Sequence, residues 1–231
     1  MIKVITYLLL CVTTTLFSSL APAYEVSPIY LELDDIGKKA QGLYVITNVE
    51  ESPIMLEVNT YRADYSSGEE VLTPADDEFL ILPPQAKIDG LKSQTFRVRH
   101  IPKNKTSKTH TYRIIFTQVE LENSGKKDDQ DSSISMLLEF ATLAFVSPQA
   151  SKPVAKASLT QNGLIVSNEG NRVLNMTTLE FEFSGGKEDK SISWETLSKQ
   201  TSAYLMPGSR VSYALPESLG TPKQVKISNL E

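Results

Sequence analysis

Apolar and polar residues alternate at every second position over much of this chain, and that pattern restricts it to extended structure. "IMLEVNTYRADY" (54–65) sets Ile54, Leu56 and Val58 against Met55, Glu57 and Asn59. "SQTFRVRHI" (93–101) sets Phe96 and Val98 against Arg97 and Arg99. "GLYVITNV" (42–49), "FLILPP" (79–84) and "THTYRIIFTQVEL" (109–121) are strand candidates of the same kind. A period of two puts neighbouring side chains on opposite faces of a strand. Turn formers separate the runs: Glu50-Glu51-Ser52-Pro53, Ser66-Ser67-Gly68, and the pair Pro83-Pro84, which cannot donate ladder hydrogen bonds. No segment carries a convincing helical period, and no tandem repeat is visible. The expected fold is all-β, with strands packed as sandwiches.

The stretch "SISMLLEFATLAFV" (133–146) has an apolar set at Ile134, Met136, Leu138 and Phe140. Period two places those four on one face. The pattern alone leaves two readings open. They face the chain's own core, or they face another polypeptide. Ala141, Leu143 and Phe145 pack the later part of the strand into its own sandwich in either reading. The polar segment "ELENSGKKDDQDSS" (120–133) before it reads as a solvated loop.

A boundary follows at "SPQASKPVAK" (147–156), whose prolines and small polar residues suit an interdomain linker. The strand pattern then restarts. Asn162-Gly163 reads as a tight hairpin turn, Asn168-Glu169-Gly170-Asn171 as a second turn, and Pro207-Gly208 as a third between strands. The second domain is therefore also β, and smaller.

The amino terminus has Lys3, an apolar run through Leu8-Leu9-Leu10 and an ending Ala21-Pro22-Ala23, the layout of a secretory signal peptide cleaved after Ala23. The apolar run is too short for a retained membrane helix. Leu10 is not the small residue a lipoprotein box wants before Cys11. Cys11, the only cysteine, leaves with this segment, so the mature chain forms no internal disulfide and has no thiol chemistry. It would carry 22 basic and 28 acidic residues, a net charge of −6. Nothing in that balance attracts nucleic acid or an anionic membrane.

Catalytic signals are absent. His100 and His110 have no second ligand at metal-site spacing, and His100 reads as an exposed histidine at a strand end. Asp76-Asp77-Glu78 and Asp128-Asp129-Gln130-Asp131 lack the order of a calcium loop and read as solvated. There is no nucleophile elbow, phosphate loop or dinucleotide fingerprint. The chain is not expected to be an enzyme or to need a cofactor.

The set of motifs resembles the periplasmic chaperones of chaperone–usher pilus assembly. "FLILPPQAKIDGLKSQTFRVRHIP" is similar to that family's block, here Phe79, Pro83, Pro84, Gly90, Gln94, Phe96 and Arg97. "TYRIIFTQVEL", "LIVSNEGNRVLNMTTLEF" and "YLMPGSRVSYALP" resemble the segments that follow it. The resemblance implies two immunoglobulin-like sandwiches set at an angle. The implied division is a signal peptide 1–23, a chaperone domain 24–148 with a donor strand, and a second domain 149–231. The implied activity is strand addition, in which the chaperone completes a subunit that lacks its last strand. Ile134, Met136, Leu138 and Phe140 then enter the subunit's groove, and an outer-membrane usher receives the subunit. The implied partners are pilus or fimbrial subunits and the usher, in the periplasm, without nucleic acid or membrane insertion. Whether the free chaperone caps itself as a homodimer stays open. The alternative is a secreted two-domain adhesion or binding module.

The resemblance fails at one place. The family holds the subunit's terminal carboxylate with an Arg on the first strand and a Lys on the donor strand. Tyr30 and Leu143 stand at those positions here. Arg113 and Arg97 are the substitutes named from the sequence, and Arg97 also matches a position resembling an internal ion-pair residue.

Overall fold

The computed structural model describes residues 24–120, 137–161, 163–186, 188–198 and 202–229. The first domain contains β1 (Tyr24–Ser27), β2 (Tyr30–Asp34), β3 (Gln41–Asn48), β4 (Ile54–Asp64), β5 (Val71–Pro74), β6 (Phe79–Leu82), β7 (Gln85–Ile88), β8 (Ser93–His100), β9 (His110–Val119) and β10 (Glu139–Ser147). One sheet has the order β1-β3-β8-β6. The other runs β2-β10-β9-β4-β5, with β7 also paired to β4. Inward residues of both sheets meet in one cluster that includes Tyr44, Ile46, Leu56, Phe96, Val98, Tyr112, Ile114 and Phe116. Each such side chain withdrawn from water contributes about 1.5–3 kcal/mol before chain entropy is charged against it.

The strands expected at 42–49, 54–65, 79–84, 93–101 and 109–121 all form, within two residues at each end. Two short strands, β5 and β7, were not expected. β5 is exposed along its length, so it carries no apolar alternation to read. Gly90 of the family-like block is required by a close approach: a Cβ there would lie 1.9 Å from the Glu51 carbonyl oxygen.

The second domain contains β11 (Ala155–Thr160), β12 (Gly163–Asn168), β13 (Leu174–Asn175), β14 (Leu179–Ser184), β15 (Lys190–Ser193), β16 (Tyr204–Leu205), β17 (Arg210–Tyr213) and β18 (Gln224–Asn229). Its core gathers Leu164, Val166, Met176, Phe181, Phe183, Trp194 and Leu219. The expected hairpin joins β11 to β12, with Thr160 opposite Gly163. The Pro207-Gly208 turn instead joins strands of different sheets, since β16 pairs with β13 and β17 with β12. One helical turn, Trp194–Leu197, interrupts the all-β pattern and buries Trp194 and Leu197.

The turn 168–171 sits at the junction of the two domains. Asn168 is wholly buried. Its Oδ1 accepts the N–H groups of Val154 at 3.2 Å and Gly170 at 3.0 Å. Its Nδ2 donates to the carbonyls of Arg172 at 2.7 Å and Leu205 at 3.0 Å. The adjoining residues cross to the first domain. Thr109 N–H donates to the Asn171 carbonyl at 3.0 Å, and Val173 N–H to Thr109 Oγ1 at 2.8 Å. Arg172 Nη1 lies 2.9 Å from Asp34 Oδ1, with both side chains largely out of water.

One reading of a chemistry-bearing residue is corrected here. His100 is buried, not exposed; its ring Nδ1 lies 3.0 Å from the Asp35 carbonyl oxygen, and Phe79 packs edge-on against it. Asp76 and Asp77 are exposed and Glu78 is half-buried, and all three make contacts within the first domain. Asp76 accepts both the N–H and the hydroxyl of Thr60, Asp77 pairs with Lys103, and Glu78 accepts the Tyr112 hydroxyl. Asp128, Asp129 and Asp131 lie outside the described residues. No cluster able to hold a metal ion occurs among the described residues.

Candidate functional site: the open edge of β10 and the cleft beside it

β10 is paired unequally on its two sides. Against β9 it is antiparallel over its length, from Glu139 opposite Thr117 to Val146 opposite His110. Against β2 it is parallel and begins only at Leu143, opposite Tyr30. The reason lies in the first strand of the fold. β1 pairs with β3 in the other sheet, and Pro28, which has no N–H to offer a ladder, separates β1 from β2. The chain crosses between sheets at that point and leaves Glu139–Thr142 without a second neighbour among the described residues.

The direction of the free groups follows from one hydrogen bond. Leu143 N–H donates to the Ile29 carbonyl at 3.0 Å, toward β2. Gln118 N–H takes the Leu138 carbonyl at 2.8 Å on the other side, toward β9. Backbone polar groups alternate in direction along a strand. The N–H groups of Glu139 and Ala141 therefore point where a third strand would lie. An unpaired row of this kind is a template for another chain.

The side chains of this segment divide by parity. Thr142, Ala144 and Val146 are wholly buried, and Ala144 and Val146 belong to the first-domain core. Phe140 and Leu138 point the same way and pack against that core, but both are only partly buried. The Phe140 ring centre is 6.3 Å from that of Tyr24. Tyr24 is itself tied down by its hydroxyl donating to the Phe116 carbonyl, and burial pushes that phenol up to about 12. The core is thus continuous along β10, and at its amino-terminal end Leu138 and Phe140 are only partly covered by the described residues. Ile134 and Met136 lie outside the described residues. Leu137, on the opposite parity, is half exposed.

The outward parity of the same sheet forms the floor of the interdomain cleft. One row crosses it as Tyr30, Leu143, Arg113 and Tyr61 on successive strands. The next contains Glu32, Phe145, Thr111 and Ala63. Tyr204 of the second domain closes over both, 4.9 Å from the Tyr30 ring and 4.7 Å from that of Phe145. An aromatic cluster therefore occupies the place where the sequence resemblance leads one to look for two cations.

Arg113 stands beside Leu143 on this floor. Its Nε donates to Glu70 Oε1 at 2.8 Å, and the Tyr65 hydroxyl donates to the same oxygen. Burial works to raise the Glu70 carboxyl, but the two hydrogen bonds and the Arg113 charge outweigh it and hold that carboxyl low. Arg97 is elsewhere. It is exposed on the outer face of the other sheet, opposite Leu43 on one side and Leu82 on the other. The structure does not bring the two arginines together. The sequence reading places Ala141, Leu143 and Phe145 in the strand's own sandwich, and the structure corrects it. That parity faces outward, with Ala141 exposed and Phe145 against Tyr204, while Ala144 and Val146 enter the core. The aromatic lid from Tyr204 was not readable, because it depends on how the domains meet.

Comparison with known proteins gives the chain a family. The pili and flagellar-assembly chaperone model, PapD N-terminal domain, matches residues 34–152. The fold is similar to the class 5 fimbriae chaperone CfaA, at 15% identity over 90% of this chain and 98% of that one, with a TM-score of 0.56. It is similar to the E. coli chaperone DraB at 16% identity, 91% and 97% coverage and a TM-score of 0.56. It is also similar to a chain in the Salmonella enterica SafA pilin in complex with the SafB chaperone, at 15% identity, 92% and 99% coverage and a TM-score of 0.56. At these identities the structural likeness is one of fold. No curated protein matches the sequence. No helix among the described residues is long and apolar enough to cross a membrane.

Proposed function

Because the chain belongs to the family of pili and flagellar-assembly chaperones, we propose that it works by lending the open edge of β10 to a fibre subunit. The protein is a chaperone and not an enzyme. In this reading residues 1–23 export it to the periplasm, residues 24–148 form the subunit-binding domain, and residues 149–231 form the second domain. The bound subunit passes on to an outer-membrane usher.

The observation that supports strand lending is the unpaired stretch Glu139–Thr142, whose core-facing side is already apolar. A subunit strand laid on that edge satisfies the backbone groups of Glu139 and Ala141 and extends the sheet. It also extends the core. Leu138 and Phe140 keep their contact with the chaperone's own interior and present their uncovered sides to the subunit. The two readings left open by the sequence are then one: the same face serves both cores. In this reading a strand extended over 134–138 in the complex would add Ile134 and Met136 to that face, since a strand repeats every second residue. Fully burying four exposed side chains of this kind is worth about 6–12 kcal/mol gross. Leu138 and Phe140 are already partly buried, so the gain on binding is smaller, and it is set against association costs of comparable size.

Arg113 is the charge assigned to the subunit's terminal carboxylate. It stands next to Leu143 on the cleft floor, and a guanidinium offers several donors in a planar fork, so one bond to Glu70 leaves others to give. Arg97 faces away on the other sheet and has no part in this.

Coexpression tests the proposal. The chaperone is coexpressed with a candidate pilus or fimbrial subunit from the same organism. A subunit that aggregates alone and forms a soluble one-to-one complex with the chaperone is the expected result. A subunit that is soluble alone, or that never co-purifies, contradicts it.

A further inference from the structure

A cavity of ≈ 510 Å³ opens between the domains, away from the β10 edge. Its first-domain wall includes Arg62, Asp64, Lys108 and His110; Met206 and Ser209 face them from the second domain. Arg62 carries the unexplained feature. Its Nε is buried and has no hydrogen-bond partner among the described residues. The side chain is nevertheless held in place. Nη2 lies 3.4 Å from the Tyr112 hydroxyl, and the guanidinium carbon lies 5.6 Å from the centre of the Tyr112 ring. That nitrogen is closed off from the cavity, so Arg62 acts on the cavity it lines through its charge rather than through Nε.

The surrounding charge has the same sign. Lys108 stands exposed at the rim. His110 is part-buried at the start of β9. Burial, then Arg62, holds its imidazole below the ordinary value; Lys108 and His100 add to that, and Glu78 opposes it. Asp64 is the one acid among the described lining residues. It is exposed, and its carboxylate already accepts the Ser66 N–H at 2.8 Å.

We propose that this cavity is a site for a small oxyanion, a carboxylate or phosphate group, held by Arg62, Lys108 and His110. A guanidinium, an ammonium and an imidazolium supply charged donors, the form in which hydrogen bonds to oxyanions are strongest. The ligand would sit against Ser209 and Met206 and so tie the two domains together. The site does not depend on strand lending at β10. The anion has two sources, a free oxyanion or the terminal carboxylate of a polypeptide other than the subunit whose terminus is assigned to Arg113. Binding strengthens as pH falls, because protonated His110 joins the site once an anion offsets Arg62 and Lys108.

The test follows the His110 ring signals by NMR while inorganic phosphate is added to the whole mature protein. The expected result is a saturable shift with a raised His110 midpoint, tighter at pH 6 than at pH 8. Arg62→Gln and, separately, Lys108→Gln should each weaken it by about tenfold. Lys108 is exposed, so its variant folds even if the Arg62 variant does not. No saturable shift, or one that neither substitution weakens, overturns the site. A short peptide with a free carboxyl terminus and its amidated twin then compete with phosphate. Displacement by the free acid alone assigns the site to a polypeptide terminus; displacement by neither assigns it to a free oxyanion. Both outcomes support the site, and equal displacement by the two peptides contradicts it.

Discussion

Tyr30 and Leu143 lie directly opposite one another on neighbouring parallel strands, with Arg113 opposite Leu143 on its other side. Two positions that the family resemblance marks as basic are therefore neighbours in space, and here both are uncharged. The cation beside them is on the third strand. Arg113→Gln should weaken a subunit complex by about tenfold, the loss of one charge-assisted hydrogen bond. Titration calorimetry with a subunit and with its carboxyl-amidated form measures this. The account requires that amidation and Arg113→Gln not add.

Leu138→Glu places a charge on the face shared by both cores. Leu138 is only partly buried, so the glutamate reaches water in the free protein. The expected loss of stability is about 1–2 kcal/mol, within the usual range for single substitutions. The subunit complex, where the same position is closed off, should be lost altogether. Circular dichroism with thermal melting, run beside a co-purification assay, separates the two effects.

Phe140→Ala removes a ring that packs toward Tyr24 without being sealed in. A fully buried Phe costs about 3–5 kcal/mol on truncation. This one should cost less, about 1–3 kcal/mol, and chemical denaturation should find it milder than Phe116→Ala, which empties the centre of the core.

How much of this was legible in the sequence depended on what carries each feature. β3, β4, β8 and β9 alternate cleanly because each has one face in the core, so period two revealed them. β5 shows no such alternation because no face of it is buried. The parity of Leu138 and Phe140 was also readable, but their exposure was not. It depends on where β2 starts to pair, and that is set by the crossing at Pro28. The aromatic cluster of Tyr30, Phe145 and Tyr204 joins residues distant in sequence through the domain junction, which no local pattern reports. His100 looked like a strand-end histidine because the Asp35 carbonyl that receives it comes from the other end of the domain.

Arg172 and Asp34 pair across the domain junction with both side chains mostly withdrawn from water. Removing one partner of such a pair strands the other, at a cost of about 3–5 kcal/mol when burial is complete and less here. Arg172→Ala should destabilise the protein and widen the distribution of interdomain angles. Small-angle scattering should show a larger radius of gyration, with the first-domain NMR spectrum otherwise preserved.

His110 gives the protein a defined pH dependence. Its imidazole is held below the ordinary value near 6.5 by burial and then by Arg62. Below 6.5 the unfolded chain therefore takes up this proton before the folded one does. Stability should fall as pH drops from 6.5 toward the folded value and level off beneath it. His110→Gln should remove that slope in a series of urea melts.

Hydrogen exchange at two amides measures strand lending most directly. Glu139 and Ala141 direct their N–H groups at the open side of β10, while Phe140 and Thr142 direct theirs at β9. In the free chaperone the first pair should exchange fast and the second slowly. In a subunit complex Glu139 and Ala141 should become protected by at least about a hundredfold, as amides that join a stable ladder do. If both are already protected in the free monomer, or remain fast in the complex, the edge is not what the subunit binds.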